Sequence, residues 1–332
     1  MRVSISRRTL LRATGFVGLG GGLFACSEPA NRPSTGAPEA TRGAAPAPTA
    51  SSTPTLDVLP ATRAWRAAPR DVAPEVKKAA ARLVESAGSW PPGEGGARQA
   101  KRRLQLGGYD PNLVDDLMPL ITGDDTAAAE VVVAQYGGIL DTSASVLIVI
   151  DQWVRGENGR VRRRGTTLDV RLVADEPEWS VTTVRPARPG RSVAEVTGAA
   201  RRLLKDDRVI LPRAAARDIR SGAIEDSVLR ALASLAELHR LDVSILRSGH
   251  PVRVFGTDRT SDHTDGRAVD IWALDGRPII ERGISAKVAG LMRAAQDAGA
   301  YQVGGPVDLD GSGASFFSDD THRDHIHLGF TG

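Results

Sequence analysis

The sequence predicts an α+β protein, with a smaller helix-plus-antiparallel-sheet domain over 57–190 and a domain over 191–332 whose central antiparallel sheet is flanked by helices. Three observations carry that expectation. Pro74–Ala87 has apolar residues at helical spacing, Val76, Ala80, Leu83 and Val84. Four β-branched runs between residues 130 and 185 are joined by Gly, Asn and Asp turns, the mark of an antiparallel meander. Beyond residue 191, amphipathic segments alternate with short apolar ones. With 332 residues and 41% hydrophobic content, the chain can bury two modest cores.

In chain order, the first residues read as an address. Met1–Arg12 is basic, and Ser6-Arg7-Arg8-Thr9-Leu10-Leu11-Arg12 matches a twin-arginine export signal. The apolar, Gly-rich run Ala13–Ala25 is too short to span a membrane and ends in Leu23-Phe24-Ala25-Cys26, a lipoprotein cleavage pattern. Cys26 is the only cysteine, so an internal disulfide is excluded and a lipid anchor is expected. The protein is therefore expected to be exported and lipid-anchored at the outer face of the cytoplasmic membrane. Residues 26–56 are rich in Pro, Ala, Ser and Thr; such a stretch buries too little apolar surface to offset its ordering entropy and should be a disordered tether. Residues 1–25 hold four Arg and no acid, so removing them lowers the formal charge of +3 by four, to −1. A near-neutral mature chain gives no reason to expect nucleic acid as a partner.

In 57–190, the helix Pro74–Ala87 ends at the Ser89–Gly93 break, and Ala97–Leu106 and Pro111–Leu120 suit further short helices. The strands are Glu130–Gln135, Ser143–Val154, Thr166–Val173 and Trp179–Arg185. Val146-Leu147-Ile148-Val149-Ile150 is apolar throughout and should be a buried central strand. Helices followed by a curved antiparallel sheet resemble nuclear-transport-factor-2-like cones. No chemical motif lies there, so a scaffold or positioning role is expected, with a small-ligand pocket as the alternative.

In 191–332, Val193–Leu204, Ile224–His239 and Ser285–Ala298 read as amphipathic helices, with His239 on the buried face of the second. Leu241–Leu246 and a segment starting at Tyr301–Val303 read as strands. Five of the six histidines lie between His250 and His327. Such crowding calls for a chemical reason, because neutral imidazole is the commonest metal ligand. His263, Asp270 and His327 would give a zinc ion two nitrogens and one carboxylate, leaving a fourth position open for water. His263 and Asp270 are seven apart, which suits a loop feeding a strand over Val269–Trp272, with Gly266 permitting the tight path. In Asp324-His325-Ile326-His327-Leu328-Gly329-Phe330, a strand would put His325 and His327 on one face and Ile326 and Leu328 in the core.

These two motifs, Ser261-x-His263-x-x-Gly266-x-Ala268-x-Asp270 and the late His325-x-His327, resemble the zinc D-alanyl-D-alanine carboxypeptidase and dipeptidase family, related to lysostaphin-type endopeptidases and the Hedgehog fold. The resemblance covers roughly 195–332. It implies His263, Asp270 and His327 as the zinc ligands, Asp324 as general base, and His325 beside the metal assisting catalysis. It implies D-Ala-containing peptidoglycan stem peptides as substrate. The family's Ser-Gly-Tyr-Arg segment is replaced here by Ser248-Gly249-His250-Pro251, so the substrate-binding arginine is unassigned; Arg247, Arg253 and Arg259 are the candidates, with His250 as a further substrate contact. On a regular strand Asp324 would face away from His325, so it can be the base only if the strand begins after it.

Asp308-Leu-Asp310-Gly-Ser312, with Asp319 eleven residues after Asp308, resembles half of a calcium loop. It ends in Asp and has no flanking helices, so a polar active-site loop is the expectation, with His322 as another substrate or ligand-orienting contact. The expected activity is hydrolysis of wall peptide by a zinc-activated water. The alternative is a non-catalytic zinc-bearing lipoprotein that binds cell wall or another protein.

Overall fold

A computed structural model describes residues 57–332; the expected export signal, Cys26 anchor and tether lie outside the described residues. The described residues belong to one compact unit. They form a mixed α+β structure with two sheets and, among the described residues, six α-helices.

The first layer opens with α1 (Pro74–Gly88), which has Pro at its first turn and ends before Ser89-Trp90-Pro91-Pro92. After α2 (Ala97–Leu106) come the strands β1 (Thr126–Ile139), β2 (Ser143–Arg155), β3 (Val161–Asp175) and β4 (Glu178–Pro186), an antiparallel meander in the order β1-β2-β3-β4. The strands run longer than the apolar runs alone suggest. Arg162, Arg163 and Arg164 extend β3, because the ladder to β2 continues through residues whose side chains reach solvent. Pro111–Leu120 is no α-helix. A 3-10 turn over Pro111–Val114, begun by Asp110 accepting from the Asn112 amide at 2.9 Å, replaces it, and Leu113, Leu117 and Leu120 are buried all the same.

In β2, Val146, Ile148 and Ile150 pack against α1 in one core, yet Leu147 and Val149 on the opposite face are also buried. Covering both faces of one strand explains why that run is apolar throughout. The second cover comes from the rest of the chain.

That second layer is α3 (Gly198–Leu203), β5 (Val209–Ile210), α4 (Arg213–Arg220), α5 (Asp226–Leu235), β6 (Leu241–Ile245), β7 (Ala268–Leu274), β8 (Arg277–Pro278), α6 (Ser285–Asp297), β9 (Gln302–Gly304), β10 (Phe316–Phe317) and β11 (Ile326–Gly329). The sheet order is β10-β9-β11-β7-β6-β5, with β8 beside β7. Its centre, β9-β11-β7-β6, is antiparallel, while β10 and β5 join the edges in parallel. α3 begins later than Val193 because Thr197 caps it, its hydroxyl accepting from the Ala200 amide at 3.2 Å. α4, Arg-Ala-Ala-Ala-Arg-Asp-Ile-Arg, was not among the expected helices. α5 stops at Leu235, so His239 lies beyond the helix and its Nδ1 meets Asp275 at 3.0 Å instead of entering the core. Side chains from α3–α6 join Val243, Val269, Ile271, Ile326 and Leu328 in a single core. The other residues of β7 and β11, Asp270, Trp272 and His327, turn to the opposite face, toward the first layer.

Candidate metal centre

Two local features deliver the site. The segment Ser261–Arg267 folds into a tight turn in which the Thr264, Asp265 and Gly266 amides donate to the carbonyls of Ser261, Asp262 and His263. Gly266 closes it at φ 71°, and a Cβ there would stand 2.0 Å from the Ala223 carbonyl oxygen, so only glycine fits. The turn brings His263, fully buried, back beside Asp270 on β7. The register of the sheet does the rest: His327 on β11 pairs directly with Asp270 on β7. Directly opposed residues share a face with their Cβ atoms about 5 Å apart.

Three atoms converge. His263 Nε2 lies 3.1 Å from Asp270 Oδ1 and 3.2 Å from His327 Nδ1, and His327 Nδ1 lies 2.9 Å from Asp270 Oδ1. His263 donates its Nδ1–H to the Leu246 carbonyl at 2.5 Å, which leaves Nε2 as a lone pair. His263 Nε2 and Asp270 Oδ1 thus face one point as acceptors, and His327 Nδ1 makes a third in the tautomer that carries its proton on Nε2. A proton there can serve one pair of them, whereas a cation serves all three. Donors held about 2.0–2.1 Å from one tetrahedral zinc stand about 3.3 Å apart, close to the observed triangle.

The buried group His250, His263 and Asp270 can also hold a metal ion, since ligand atoms of all three lie within 4.8 Å of one another. The two sets share His263 and Asp270. His250, however, stacks on His263, with ring centroids 3.9 Å apart and planes 20° apart. Imidazole lone pairs lie in the ring plane, so near-parallel stacked rings aim past each other. His263 and His327 are tilted by 54°, which lets their lone pairs meet. His250 also has Nδ1 against the Pro251 carbonyl at 2.9 Å and near Ser261 Oγ at 3.4 Å.

The electrostatics match a cation site. Burial opposes charge on Asp270, but the surrounding imidazoles of His263, His325 and His327 hold its carboxyl well below the usual carboxylate range. Burial pushes His327 down to about 4 and, with His263 beside it, pushes His250 well below its ordinary value. Both rings are thus neutral and able to ligate at physiological pH.

His325 and Asp324 just precede β11, so the strand does begin after Asp324. Asp324 nevertheless does not reach the cavity. One oxygen accepts from His325 Nδ1 at 2.6 Å, and the other is paired with the buried ammonium of Lys77, which is also paired with Asp71. Burial works against ionisation of Asp324, but Lys77 and His325 hold its pKa at about 2. The acid expected to act directly thus stands behind His325, whose Nε2 lies 3.8 Å from Asp270 Oδ2. Burial disfavours the imidazolium of His325, yet Asp270 and Asp324 raise its pKa.

A cavity of about 460 Å³ opens over the centre. His250, His322, His325 and His327 line its floor. Ile139, Leu140, Val254, Phe255 and Phe317 form an apolar wall, and Arg259 and Asp319 add charge. Arg253 is instead paired with Asp258 away from this cavity, and Arg247 donates to the Thr264 carbonyl. Of the three candidate arginines, Arg259 alone lines the site. Asp308 and Asp310 accept from backbone amides of their own loop. Asp319 accepts from His322 Nδ1 at 2.7 Å. Among the described residues these aspartates form no metal-holding group, and the loop after β10 carries Asp319–His322 to the cavity edge.

Two contributors were not foreseen. Lys77 sits within the apolar stripe of α1, beside Val76, Ala80 and Val84, and a lysine in such a stripe is the signal that could have marked it. Gln135, on β1, donates from Nε2 to Asp270 Oδ2 at 2.8 Å. Nothing local in its sequence points to a metal ligand on another sheet.

No family model, no curated protein and no solved structure matches this chain.

Proposed function

We propose that this chain is an exported, lipid-anchored zinc metallopeptidase that hydrolyses D-Ala-containing peptidoglycan stem peptides, with His263, Asp270 and His327 as the zinc ligands. The observation that carries the reading is the triangle of ligand atoms, His263 Nε2, Asp270 Oδ1 and His327 Nδ1, all within 3.2 Å of one another. The proposed domain type, a D-Ala-D-Ala peptidase-like fold, rests on the motif resemblance together with the paired β7 and β11. A nuclear-transport-factor-2-like identity for the first layer rests on its order of helices and strands alone.

Bound zinc supplies a Lewis acid and brings the pKa of its water toward ~7. The chain's own groups do the remaining work. His325 Nε2 would take a proton from the attacking water as the new C–O bond forms and deliver it to the leaving amine as the C–N bond breaks, while Asp324 holds the Nδ1–H and so keeps the ring oriented. Arg259 binds a carboxylate of the substrate peptide, and the apolar wall at Phe255 and Phe317 excludes water from the bond to be cut. His250, stacked on His263, braces that ligand.

Metal analysis of the purified protein, followed by digestion of purified muropeptides, tests the proposal. One zinc per chain with release of D-Ala or a D-Ala-containing peptide is expected. Metal without hydrolysis would favour the second reading, a non-catalytic metal-bearing wall- or protein-binding lipoprotein. The observation that favours that reading is the tie between Asp324 and Lys77, which occupies the acid at the family's base position.

A further inference from the structure

We infer that Gln135 and Lys77, both supplied by the first layer, are positioning residues of the metal centre, so that the centre is completed only where the two layers meet. This rests on the metal-centre reading above and extends it to residues outside the motifs.

The two oxygens of Asp270 divide the labour. Its Oδ1 faces His263 and His327 at 3.1 and 2.9 Å, and its Oδ2 is taken by the Gln135 amide at 2.8 Å. A carboxylate with one oxygen held in this way offers only the other to a cation, and its plane is fixed by the donor. The amide must present nitrogen to Asp270, because the flipped rotamer would set oxygen against oxygen. In that orientation Gln135 Oε1 is buried with no hydrogen-bond partner. An unsatisfied buried acceptor is unfavourable, and its retention points to a need for the donor on the other side of the amide.

Lys77 acts one step further back. Its side chain is 1% exposed, and its ammonium pairs with Asp71 and Asp324 and lies 4.8 Å from the centre of the Tyr136 ring. Asp324 in turn orients His325. Asp71, Lys77, Gln135 and Asp324 line one small cavity of about 110 Å³ between the layers, behind the centre. A first layer serving only as a spacer has no reason to place a buried cation and a buried amide at this spot.

The test uses the full chain and zinc(II) as probe, with affinity read by competition against a chromogenic chelator and folding read by thermal melts with and without zinc. Gln135→Met keeps the volume but removes the donor; zinc affinity is expected to fall 10- to 100-fold, while the zinc-free melt stays at or above that of the unmodified chain. Lys77→Met is expected to lower kcat on muropeptide at least tenfold with KM little changed, and Lys77→Arg to restore most of the loss. If Lys77→Met does not fold, Lys77→Met combined with Asp71→Asn, which removes one of the stranded carboxylates, is read in its place. If the unmodified chain binds zinc and Gln135→Met binds it equally tightly, the inference is overturned and the metal centre stands. If Lys77→Met turns over as the unmodified chain does, or if the zinc-loaded unmodified chain turns over no muropeptide, the Lys77 part is overturned. If the unmodified chain binds no zinc, the underlying reading and this inference fall together.

Discussion

Asp324 accepts the Nδ1–H of His325 at 2.6 Å while its second oxygen is held by Lys77. That contact separates two adjacent residues that the motif alone treats as a pair of catalytic candidates. One becomes the group that meets the cavity, and the other becomes its support.

The first expectation follows from this order. His325→Ala should lower kcat by roughly 10²–10⁴-fold while leaving zinc stoichiometry unchanged, the size usual for loss of a general base. Asp324→Asn keeps an acceptor for His325 and should lose less. Metal content and muropeptide kinetics on both variants check the ranking, and an Asp324→Asn variant weaker than His325→Ala would reverse the assignment.

The ligand set makes a second. His263→Ala, Asp270→Ala and His327→Ala should each abolish tight zinc binding, whereas His250→Ala should retain one zinc per chain. Chelation should remove activity and zinc should restore it. Direct zinc titration of the four variants distinguishes His327 from His250 as the third ligand.

The stability of the chelated protein should fall in acid over two pH ranges. Burial pushes His327 to about 4, with His263, His322 and Asp270 facing it, whereas an unfolded imidazole protonates near 6.5. Between those values the unfolded chain binds the extra proton, so stability falls as pH drops from about 6.5 to 4, by about 3 kcal/mol for this group. Asp324, held at about 2, adds a second decline as pH falls from about 4 to 2. His325 works in the opposite sense, its contribution being present at low pH and lost as pH rises through its raised value. Urea unfolding at a series of pH values checks this, and His327→Asn should shrink the decline in the upper range, leaving the share of His250, which burial also holds well below its ordinary value.

Gly266→Ala should be costly although it adds one methyl group. The residue sits at φ 71° and the new Cβ would stand 2.0 Å from a backbone oxygen. A loss of at least 1–3 kcal/mol is expected, with weaker zinc binding because the turn carries His263. Thermal melts with and without zinc measure both.

Arg259→Ala should raise KM for stem peptides roughly 10-fold or more, with Arg253→Ala near neutral, since only the first lines the cavity and the second is an exposed partner of Asp258. Steady-state kinetics on the two variants suffices.

The metal-ligand candidates could be read from residue types and order, because His263, Asp270 and His327 belong to short motifs whose spacing reflects a turn and a strand. The helices with an apolar stripe, α1, α2 and α6, were legible for the same reason: burial imposes a period on the residues it touches. Two segments depart from that rule. α4 has a buried face, but one made of Ala214, Ala215 and Ile219 among arginines is faint in a sequence, and Pro111–Leu120 carries a helical spacing of leucines that burial requires even of a turn.

Local order along the chain was thus enough to name an α+β protein and three metal-ligand candidates, since turn chemistry and strand alternation act over a few residues. The cross-strand pairing of His327 with Asp270, the retreat of Asp324 behind His325, and the reach of Lys77 and Gln135 into the centre came only with the folded molecule. These meetings join groups 57 to 247 residues apart: the first is set by strand register within one sheet, and those of Lys77 with Asp324 and Gln135 with Asp270 by how the two layers pack.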